Sequence, residues 1–409
     1  MGREKGSEAQ RFRFERLWFA TVASNLGDGL VLAAFPLIAT GLSTDPVAVS
    51  MITAAAGLPW LVFGPLAGAI VDRFDRRKLM VAFDVGRAMI VAAFAVAVAT
   101  DAVALWAIYL VVFLIATGET VVDTSSQTIL PALVPKDRLD VANGRLFSTM
   151  TVAHRFIGPP LGGWLFGVAV VVPIAADSAT FAVAALLMLS LSGRFQPQLK
   201  ASDPVGNIAS SVVEGFKWLW GNRPIRTFAI GAGVLNIGIM AGESILVLFA
   251  QDQLGVGAFG FGSLFAALAV GYAAGSAVAP TVTARLDRLA IIGVGVGLIA
   301  LSLAAIAMSR NWFPAAAGLF GIGIGSGLWD VIAVSYRQAA VPDRLLGRIM
   351  AAYRVIAHGS VPVGAVLGGL VARLGGNPAA YAFGGALVVV ALVYVFVNLR
   401  SVELDPALI

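Results

Sequence analysis

The sequence has few of the residues on which most soluble enzymes and metal sites depend. It contains no cysteine, which excludes disulfides, thiolate nucleophiles and cysteine-ligated metals. It has two histidines, His154 and His358, too few for a metal site built from histidine alone. Only 12% of the 409 residues are charged, whereas soluble domains carry about 25%. Because so few charges cannot cover a water-facing surface, we expect lipid to surround most of the chain.

Hydrophobic residues take the place of the missing charge. They make up 59% of the chain and give a mean hydropathy of +0.89. A helix needs about 20 mostly apolar residues to cross a bilayer, and the chain has twelve candidate segments. The first six are predicted at 17–42, 47–71, 79–100, 103–133, 141–167 and 169–192. The second six are predicted at 225–252, 259–283, 289–309, 312–337, 345–374 and 378–399.

Lysine and arginine concentrate before the first segment and after every even-numbered one, with Arg310 as the main exception. Positive residues mark the cytoplasmic side of a membrane protein. The alternation therefore predicts twelve crossings of the plasma membrane, with both termini in the cytoplasm. It also accounts for a pI near 9.7, so we expect the bilayer as a partner and no nucleic acid.

The longest connection joins the sixth and seventh segments. Within it, "VVEGFKWLWGNRPIR" mixes aromatic and aliphatic residues with charges, a pattern typical of an amphipathic helix lying on the inner membrane face. This connection divides the chain into an N-terminal six-helix bundle at 1–192, a cytoplasmic linker at 193–224 and a C-terminal six-helix bundle at 225–409.

The two halves resemble each other after a shift of 207 residues. The matches include Asp123 with Asp330, Val134-Pro135 with Val341-Pro342 and, after a short deletion, Gly144-Arg145 with Gly347-Arg348. Parallel six-helix repeats occur in transporters whose substrate site lies between the halves near the membrane midplane. The sequence therefore predicts an all-α integral membrane protein of twelve transmembrane helices in two six-helix bundles.

The connection after the second segment, "GPLAGAIVDRFDRRKLM", carries the most specific motif. It resembles the Gly-x-x-x-Asp-Arg-x-Gly-Arg-Arg signature of the major facilitator superfamily, with Asp75 where the family usually has glycine. The form "DRFDRR", together with "NLGDG" and "EGFKWLW", is similar to the branch that contains macrolide-efflux proteins and the enterobactin exporter. The resemblance covers nearly the whole chain and implies a small-molecule transporter that is usually monomeric.

The same resemblance implies a cytoplasmic gate. Its residues would be Gly64, Gly68, Asp72, Arg73, Arg76 and Arg77. The glycines, with Ala67, form a small-residue stripe that lets another helix approach closely. In the family, the acid contacts the other half in the outward-facing state, where a cation or a helix N-terminus would suit it. The alternative is a basic loop that only sets topology.

A second motif lies in the fifth segment, "HRFIGPPLGGWLF". Its residues Gly158, Pro159, Gly162 and Gly163 resemble the Gly-Pro-x-x-Gly-Gly motif associated with exporting antiporters. Proline removes a backbone donor and bends the helix, and the glycines admit a close neighbour. The alternative is a packing kink in a generic transporter.

Charged residues inside the apolar segments are the candidates for coupling, because such groups are costly in lipid and usually functional. Asp28 lies about 16 Å into its helix at a rise of about 1.5 Å per residue from Leu17. It can bind and release a proton in the central cavity; the alternative is a helix–helix hydrogen bond made by a permanently neutral acid. Glu119 and Asp123 share a helix face, which suits proton uptake, and Arg155 needs a counter-ion that any of these three acids could supply.

Other polar residues are weaker candidates. We expect Asp84 and Arg87 to pair near the inner surface, and Asp330 and Arg354 to form a mainly structural pair in the second half. Asp177 falls in the outer half of the sixth segment, and both histidines suit polar packing. Candidate substrate contacts are Asn25, Phe35, Trp60, Phe249, Glu243 and Trp329, although aromatic residues near span ends also anchor helices at the lipid interface.

These patterns favour a proton-coupled exporter of small amphiphilic molecules that works by alternating access and needs no cofactor beyond the proton gradient. The alternatives are a siderophore exporter or a symport importer of the same fold. An enzyme is not expected. The "NLGDG" stretch differs from the Gly-x-Gly-Asp motif of membrane aspartyl proteases at Asn25, and the sequence has neither an HExxH zinc motif nor a phosphate-binding P-loop.

Overall fold

A computed structural model describes residues 2–135, 138–193, 195–196 and 208–402, and these contain helices and no strand. The predicted all-α class is therefore confirmed. The first half contains α1 (Gly2–Leu42), α2 (Pro46–Val62), α3 (Gly64–Val71), α4 (Arg76–Ala99), α5 (Leu105–Ile129), α6 (Leu139–Thr151), α7 (Gly158–Val168) and α8 (Val171–Leu189). The second half contains α9 (Ile208–Gly221), α10 (Arg223–Glu243), α11 (Leu246–Asp252), α12 (Ala258–Thr283), α13 (Arg288–Met308), α14 (Trp312–Ala340), α15 (Asp343–Gly375) and α16 (Asn377–Leu399).

Within the described ranges, ten helices are long and apolar enough to cross a membrane. The predicted second segment is divided between α2 and α3, and the predicted fifth between α6, a wider π-helical turn at Val152–Ile157, and α7. Proline at the first turns of α3 and α7 interrupts these two segments because it cannot donate a backbone hydrogen bond. The count of twelve crossings stays a prediction.

Backbone contacts group the chain into two compact units. One comprises Met1–Ala39 and Val62–Pro204, and the other comprises Thr40–Leu61 and Val205–Ile409. Most of α2 thus groups with the second unit, where it packs along α15: Trp60 stacks on His358 with ring centroids 6.0 Å apart. The bundle boundaries drawn from the sequence stay a prediction, and much of the predicted linker before α9 lies outside the described residues.

The linker helix α9 docks on the start of α15. Gly215 and Leu219, one turn apart, are buried, and a β-carbon at Gly215 would lie 2.4 Å from the Arg348 carbonyl oxygen. The Arg348 guanidinium also pairs with the Glu214 carboxylate. Val213, at 51% exposed, lies on the opposite side, so this helix has the two-faced character that its sequence predicts.

The two units share one packing device. A β-carbon at Gly162 would lie 2.2 Å from the Leu30 carbonyl oxygen, and one at Gly368 would lie 2.1 Å from the Ala241 carbonyl oxygen. In each unit, glycine therefore brings the helix of the predicted fifth or eleventh segment against the backbone of the helix of the predicted first or seventh segment, α1 or α10. This agrees with the internal repeat seen in the sequence.

The small-residue stripe of the first motif packs differently from its prediction. A β-carbon at Gly64 or Gly68 would meet open space. The shift of 207 residues matches these glycines with Gly271 and Gly275, where a β-carbon would lie 2.0 and 2.3 Å from carbonyl oxygens of α14. Ala67 alone is buried, in a small apolar cluster with residues of α3 and α5. Gly64 and Gly68 therefore make no such close contact with the described residues of this structure, and their role in a close helix approach at the gate stays a prediction.

Candidate functional site

The most deeply buried cation in the described part of the first unit is Arg87, in the middle of α4 and 2% exposed. One guanidinium nitrogen, Nη2, donates to the Asp28 carboxylate of α1. The other, Nη1, lies 3.3 Å from Asp84 Oδ1 and 3.1 Å from Ser24 Oγ. The guanidinium carbon is 3.8 Å from the centroid of the Phe181 ring on α8. Arg87 therefore connects three helices through two carboxylates, one hydroxyl and one aromatic face.

The depth of this network corrects one prediction. Arg87 is eleven residues from the start of α4, which places it about 16 Å along the helix, the same depth as that estimated for Asp28. The predicted Asp84–Arg87 pair is confirmed, but its contact with Asp28 puts it at the depth predicted for that acid, rather than at the more superficial depth expected for the pair. The side chain crosses α5 at Gly118, where a β-carbon would lie 2.7 Å from Arg87 Cδ. Glycine is thus required there for the cation to reach Asp28.

A second cluster shares the Asp28 carboxylate. Asp28, Glu119 of α5 and His154 of the π-helical turn each present one polar atom within 4.8 Å of the others. The structure therefore brings together two of the predicted coupling acids, while Asp123 lies one turn farther along α5 and is half-buried. His154, predicted to be a packing residue, faces this pair of acids. Such a cluster can share protons, and its two carboxylates and one imidazole can also hold a small cation.

Arg155 does not make the predicted ion pair. Its side chain is exposed, and no carboxylate in the described ranges lies within 4.0 Å of its guanidinium. Asp28 is held by Arg87 instead. His154 and Arg155 both lie in the π-helical turn that precedes Pro159 and Pro160. The two prolines lack amide hydrogens, so the regular hydrogen-bond ladder cannot continue through this turn.

The glycines of the second motif lie beside Asp28. A β-carbon at Gly158 would lie 2.5 Å from the Gly29 α-carbon, and the Gly162 contact with Leu30 described above is one turn farther along α7. Gly163 and Pro159 are buried in the same helix. The motif thus fixes how closely α7 approaches the turn of α1 that follows Asp28. Its association with export stays a prediction.

The first motif has a local structural role that the sequence did not indicate. Arg77 donates from Nε to the Met188 carbonyl at 3.0 Å and from Nη2 to the Leu189 carbonyl at 2.7 Å, which caps the end of α8. Asp75, the departure from the family signature, caps the start of α4 by accepting from the Lys78 amide at 3.1 Å. An aspartate N-cap stabilises a helix start, so the departure from the family signature has a local structural role here.

The remaining gate residues lie at the same turn. Asp72 ends α3, and its side chain and that of Arg73 are exposed. Neither forms an ion pair with another residue of the described ranges. Arg76 is the first residue of α4, and its buried Nε has no hydrogen-bond partner there. The role of this turn as a latch stays a prediction.

In the second unit the predicted Asp330–Arg354 pair is not formed. Asp330 accepts a hydrogen bond from the Tyr272 hydroxyl at 3.0 Å. Arg354 is exposed and has no ion-pair partner among the residues the structure describes. Among the described residues of this unit, the buried cation is Arg337, whose guanidinium carbon lies 3.6 Å from the Tyr353 ring centroid. The sequence analysis did not identify it.

Most of the predicted substrate contacts pack inside the units. Three buried aromatic rings lie against neighbouring rings: Phe35 on Phe94 at 5.5 Å, Phe249 on Tyr381 at 4.8 Å and Trp329 on Phe228 at 5.6 Å. Asn25 donates to the Thr21 carbonyl of its own helix at 3.0 Å. Glu243 is the last residue of α10 and is half-buried, and Trp60 stacks on His358 as described. Substrate contact by these residues stays a prediction.

Comparison with known proteins agrees with this architecture. Residues 9–407 match the family model described as transmembrane secretion effector. A multidrug efflux pump, Tap, from Mycolicibacterium fortuitum is 25% identical over 95% of this chain and 96% of its own length. Macrolide efflux protein A from Streptococcus pyogenes is 20% identical, covering 96% and 98%. An uncharacterised MFS-type transporter of Mycobacterium tuberculosis is 28% identical, covering 93% and 90%.

Solved structures show the same fold at lower sequence identity. The nucleoside transporter NupG has a TM-score of 0.77 at 12% identity and covers 95% of this chain and 100% of its own. A bacterial homologue of the iron transporter ferroportin, in an inward-facing state, has a TM-score of 0.74 at 14% identity, covering 96% and 98%.

Proposed function

The chain belongs to the transmembrane secretion effector family of the major facilitator superfamily, and we propose that it exports small amphiphilic molecules in exchange for protons. It is a multi-pass membrane transporter of a family whose members are not enzymes. The proposal also includes its location in the plasma membrane, with both termini in the cytoplasm. It further includes a monomeric state and the proton gradient as the sole energy source.

The observation that carries the proposal is the contact of Arg87 with Asp28 and Asp84 at mid-helix depth. Ionisable groups inside a membrane are costly and normally mark ion or proton pathways. Arginine keeps its charge under all physiological conditions, so the only protonation changes in this network are those of its acids. A proton on Asp28 would weaken its hold on the guanidinium and leave Asp84 as the remaining charged partner.

Protonation can bias a conformational equilibrium when the two conformations differ in proton affinity. In the proposed cycle, protons arriving from outside neutralise Asp28 and the Glu119–Asp123 pair, and the Arg87 contact rearranges. Because the Gly158 and Gly162 contacts join α7 to the turn after Asp28, the rearrangement reaches the π-helical turn that carries His154. Substrate then leaves outward, and the protons leave inward during the return.

The substrate class comes from the relatives. Two of them are named as a multidrug efflux pump and a macrolide efflux protein, and both align along nearly their whole length. These names support apolar or cationic amphiphiles as substrates. A siderophore exporter and a symport importer use the same fold, and the test below distinguishes them.

The test is an accumulation and resistance panel in a pump-deficient bacterial host. The panel contains ethidium, macrolide antibiotics and a siderophore, each measured with and without a protonophore. We expect the parent to lower ethidium and macrolide accumulation in a protonophore-sensitive way. Asp28→Asn should accumulate as much as the empty host. Asp101→Asn, which changes an exposed acid in a connection between helices, is the matched control and should behave like the parent.

Three outcomes would contradict the proposal. Export by Asp28→Asn at the parent rate would show that this acid does not couple transport. Increased accumulation by the parent would indicate an importer. Export of the siderophore alone would replace the proposed substrate class.

A further inference from the structure

One buried acid of the first unit has no part in the network described above. Asp177, in α8, is 0% exposed, and neither of its carboxylate oxygens has a hydrogen-bond partner among the described residues. An ionised carboxylate that is buried without a partner carries a large free-energy penalty and takes up a proton instead. The burial and the missing partners therefore favour the neutral form of Asp177.

The position of Asp177 relates it to Arg87. Phe181, whose ring contacts the Arg87 guanidinium, follows Asp177 by four residues and lies on the same face of α8. On the other side, α1 passes against the carboxyl group at Gly27, where a β-carbon would lie 2.3 Å from Asp177 Oδ1. Gly27 immediately precedes Asp28. Asp177 thus lies one helical turn of α8 from the ring that contacts the arginine, and beside the turn of α1 that carries the arginine's present partner.

The hydroxyl groups near Asp177 bond elsewhere. The Thr180 hydroxyl donates to the Asp177 backbone carbonyl at 2.7 Å, and the Ser178 hydroxyl donates to the Ala88 carbonyl of α4 at 2.8 Å. Near the middle of the helices packed against this site, the charged groups are Asp84 and Arg87 of α4 and Asp28 of α1, and α7 contributes no titratable residue. The other charged residues of α1 end at Arg16, twelve residues before Asp28, and those of α4 are its first three residues, nine or more positions before Arg87. Among the described residues of these helices, Arg87 is therefore the cation close enough in depth to pair with an ionised Asp177.

We propose that Asp177 is a second proton-binding site and the alternate counter-ion of Arg87. In the present conformation, Asp28 is ionised and holds the guanidinium while Asp177 carries a proton. In the other conformation, Asp28 accepts a proton, Asp177 releases one, and Arg87 moves along the Phe181 ring to pair with Asp177. Each exchange moves one proton and leaves the net charge of the three groups unchanged. This inference rests on the proposed function, because it assigns a step to the same coupling network.

Infrared difference spectroscopy of the purified protein tests the proton directly, without transport. We expect the parent to show the carbonyl band of a protonated carboxyl group and Asp177→Asn to lack it. The band should weaken in Asp28→Asn, because that variant frees Arg87 to pair with an ionised Asp177. Ser178→Ala, on the same helix with no titratable group changed, is the control and should keep the band. An unchanged band in Asp177→Asn, or full retention of the band in Asp28→Asn, would overturn the inference.

A transport assay separates this role from simple packing. Asparagine has nearly the shape of neutral aspartic acid, so a residue that is always neutral would tolerate Asp177→Asn. We expect this variant to bind ethidium as the parent does and to lose uptake driven by a pH gradient in proteoliposomes. Uptake at the parent rate would overturn the inference. If the parent itself shows no pH-driven uptake, the proposed function fails, and the infrared result still decides whether Asp177 exchanges its proton with the Arg87 network.

Discussion

Removal of the Arg87 side-chain charge is the perturbation with the largest expected effect on stability. Arg87→Met keeps much of the side-chain length but leaves the Asp28 and Asp84 carboxylates buried without a cation. Breaking a buried ion pair from one side costs about 3–5 kcal/mol. Asp28→Asn should cost less, about 1–2 kcal/mol, because it leaves no uncompensated carboxylate at position 28 and Asp84 still supplies a negative charge to the guanidinium.

The double variant Asp28→Asn with Arg87→Met measures the coupling between the two groups. Its cost should fall below the sum of the single costs by about 1.5–3 kcal/mol, as for residues of one ion-pair network. The assay is equilibrium unfolding of the purified protein in mixed micelles with increasing sodium dodecyl sulfate. Arg285→Met, at an exposed position between α12 and α13, is the control and should change stability by less than about 0.5 kcal/mol. Single costs that add to within about 0.5 kcal/mol would refute the direct Asp28–Arg87 interaction.

Further predictions concern packing and helix ends. Gly162→Leu should lower the yield of folded protein in size-exclusion chromatography, because its β-carbon would lie 2.2 Å from an α1 carbonyl oxygen. Gly167→Ala should leave that yield unchanged, because nothing lies within 4 Å of a β-carbon there. Asp75→Ala should cost about 1 kcal/mol of unfolding free energy through loss of the α4 cap; an unchanged value would contradict the capping role. Gly215→Val should detach α9 and speed protease cleavage of the linker, whereas Gly221→Ala, with open space around it, should leave the cleavage rate unchanged.

The helical fold follows from composition and periodicity, but two segments differ from their predictions for a clear reason. Counting apolar residues does not show where a proline interrupts the hydrogen-bond ladder of a helix. The second and fifth segments were therefore each predicted as one continuous span, whereas the structure divides them. The grouping of α2 with the second unit depends on contacts such as Trp60 on His358. Contacts between residues this far apart in sequence leave no local pattern.

The coupling site was partly predictable. The depth calculation that identified Asp28 would also have identified Arg87. Arg87 follows Asp84 by three residues, however, and this spacing suggested a pair near the membrane surface instead. That Arg155 makes no ion pair within the described ranges, while Arg87 holds Asp28, could not be predicted, because pairing depends on how helices rotate about their axes. Asp75 was visible as a departure from the family signature, but its capping role needs the backbone geometry of α4. For the aromatic residues proposed for substrate contact, the sequence could not distinguish packing inside a unit from lining of a cavity, since the same residue types serve both.

Proton movement evoked by substrate tests the central claim most directly. Proteoliposomes loaded with the pH dye pyranine, with the cytoplasmic face of the protein outward, receive ethidium without an imposed gradient. The account predicts that ethidium uptake raises the lumen pH with the parent and with Asp101→Asn, and that Asp28→Asn gives no pH change. Ethidium uptake with an equal proton movement in Asp28→Asn, or parent uptake with no change in lumen pH, would contradict it.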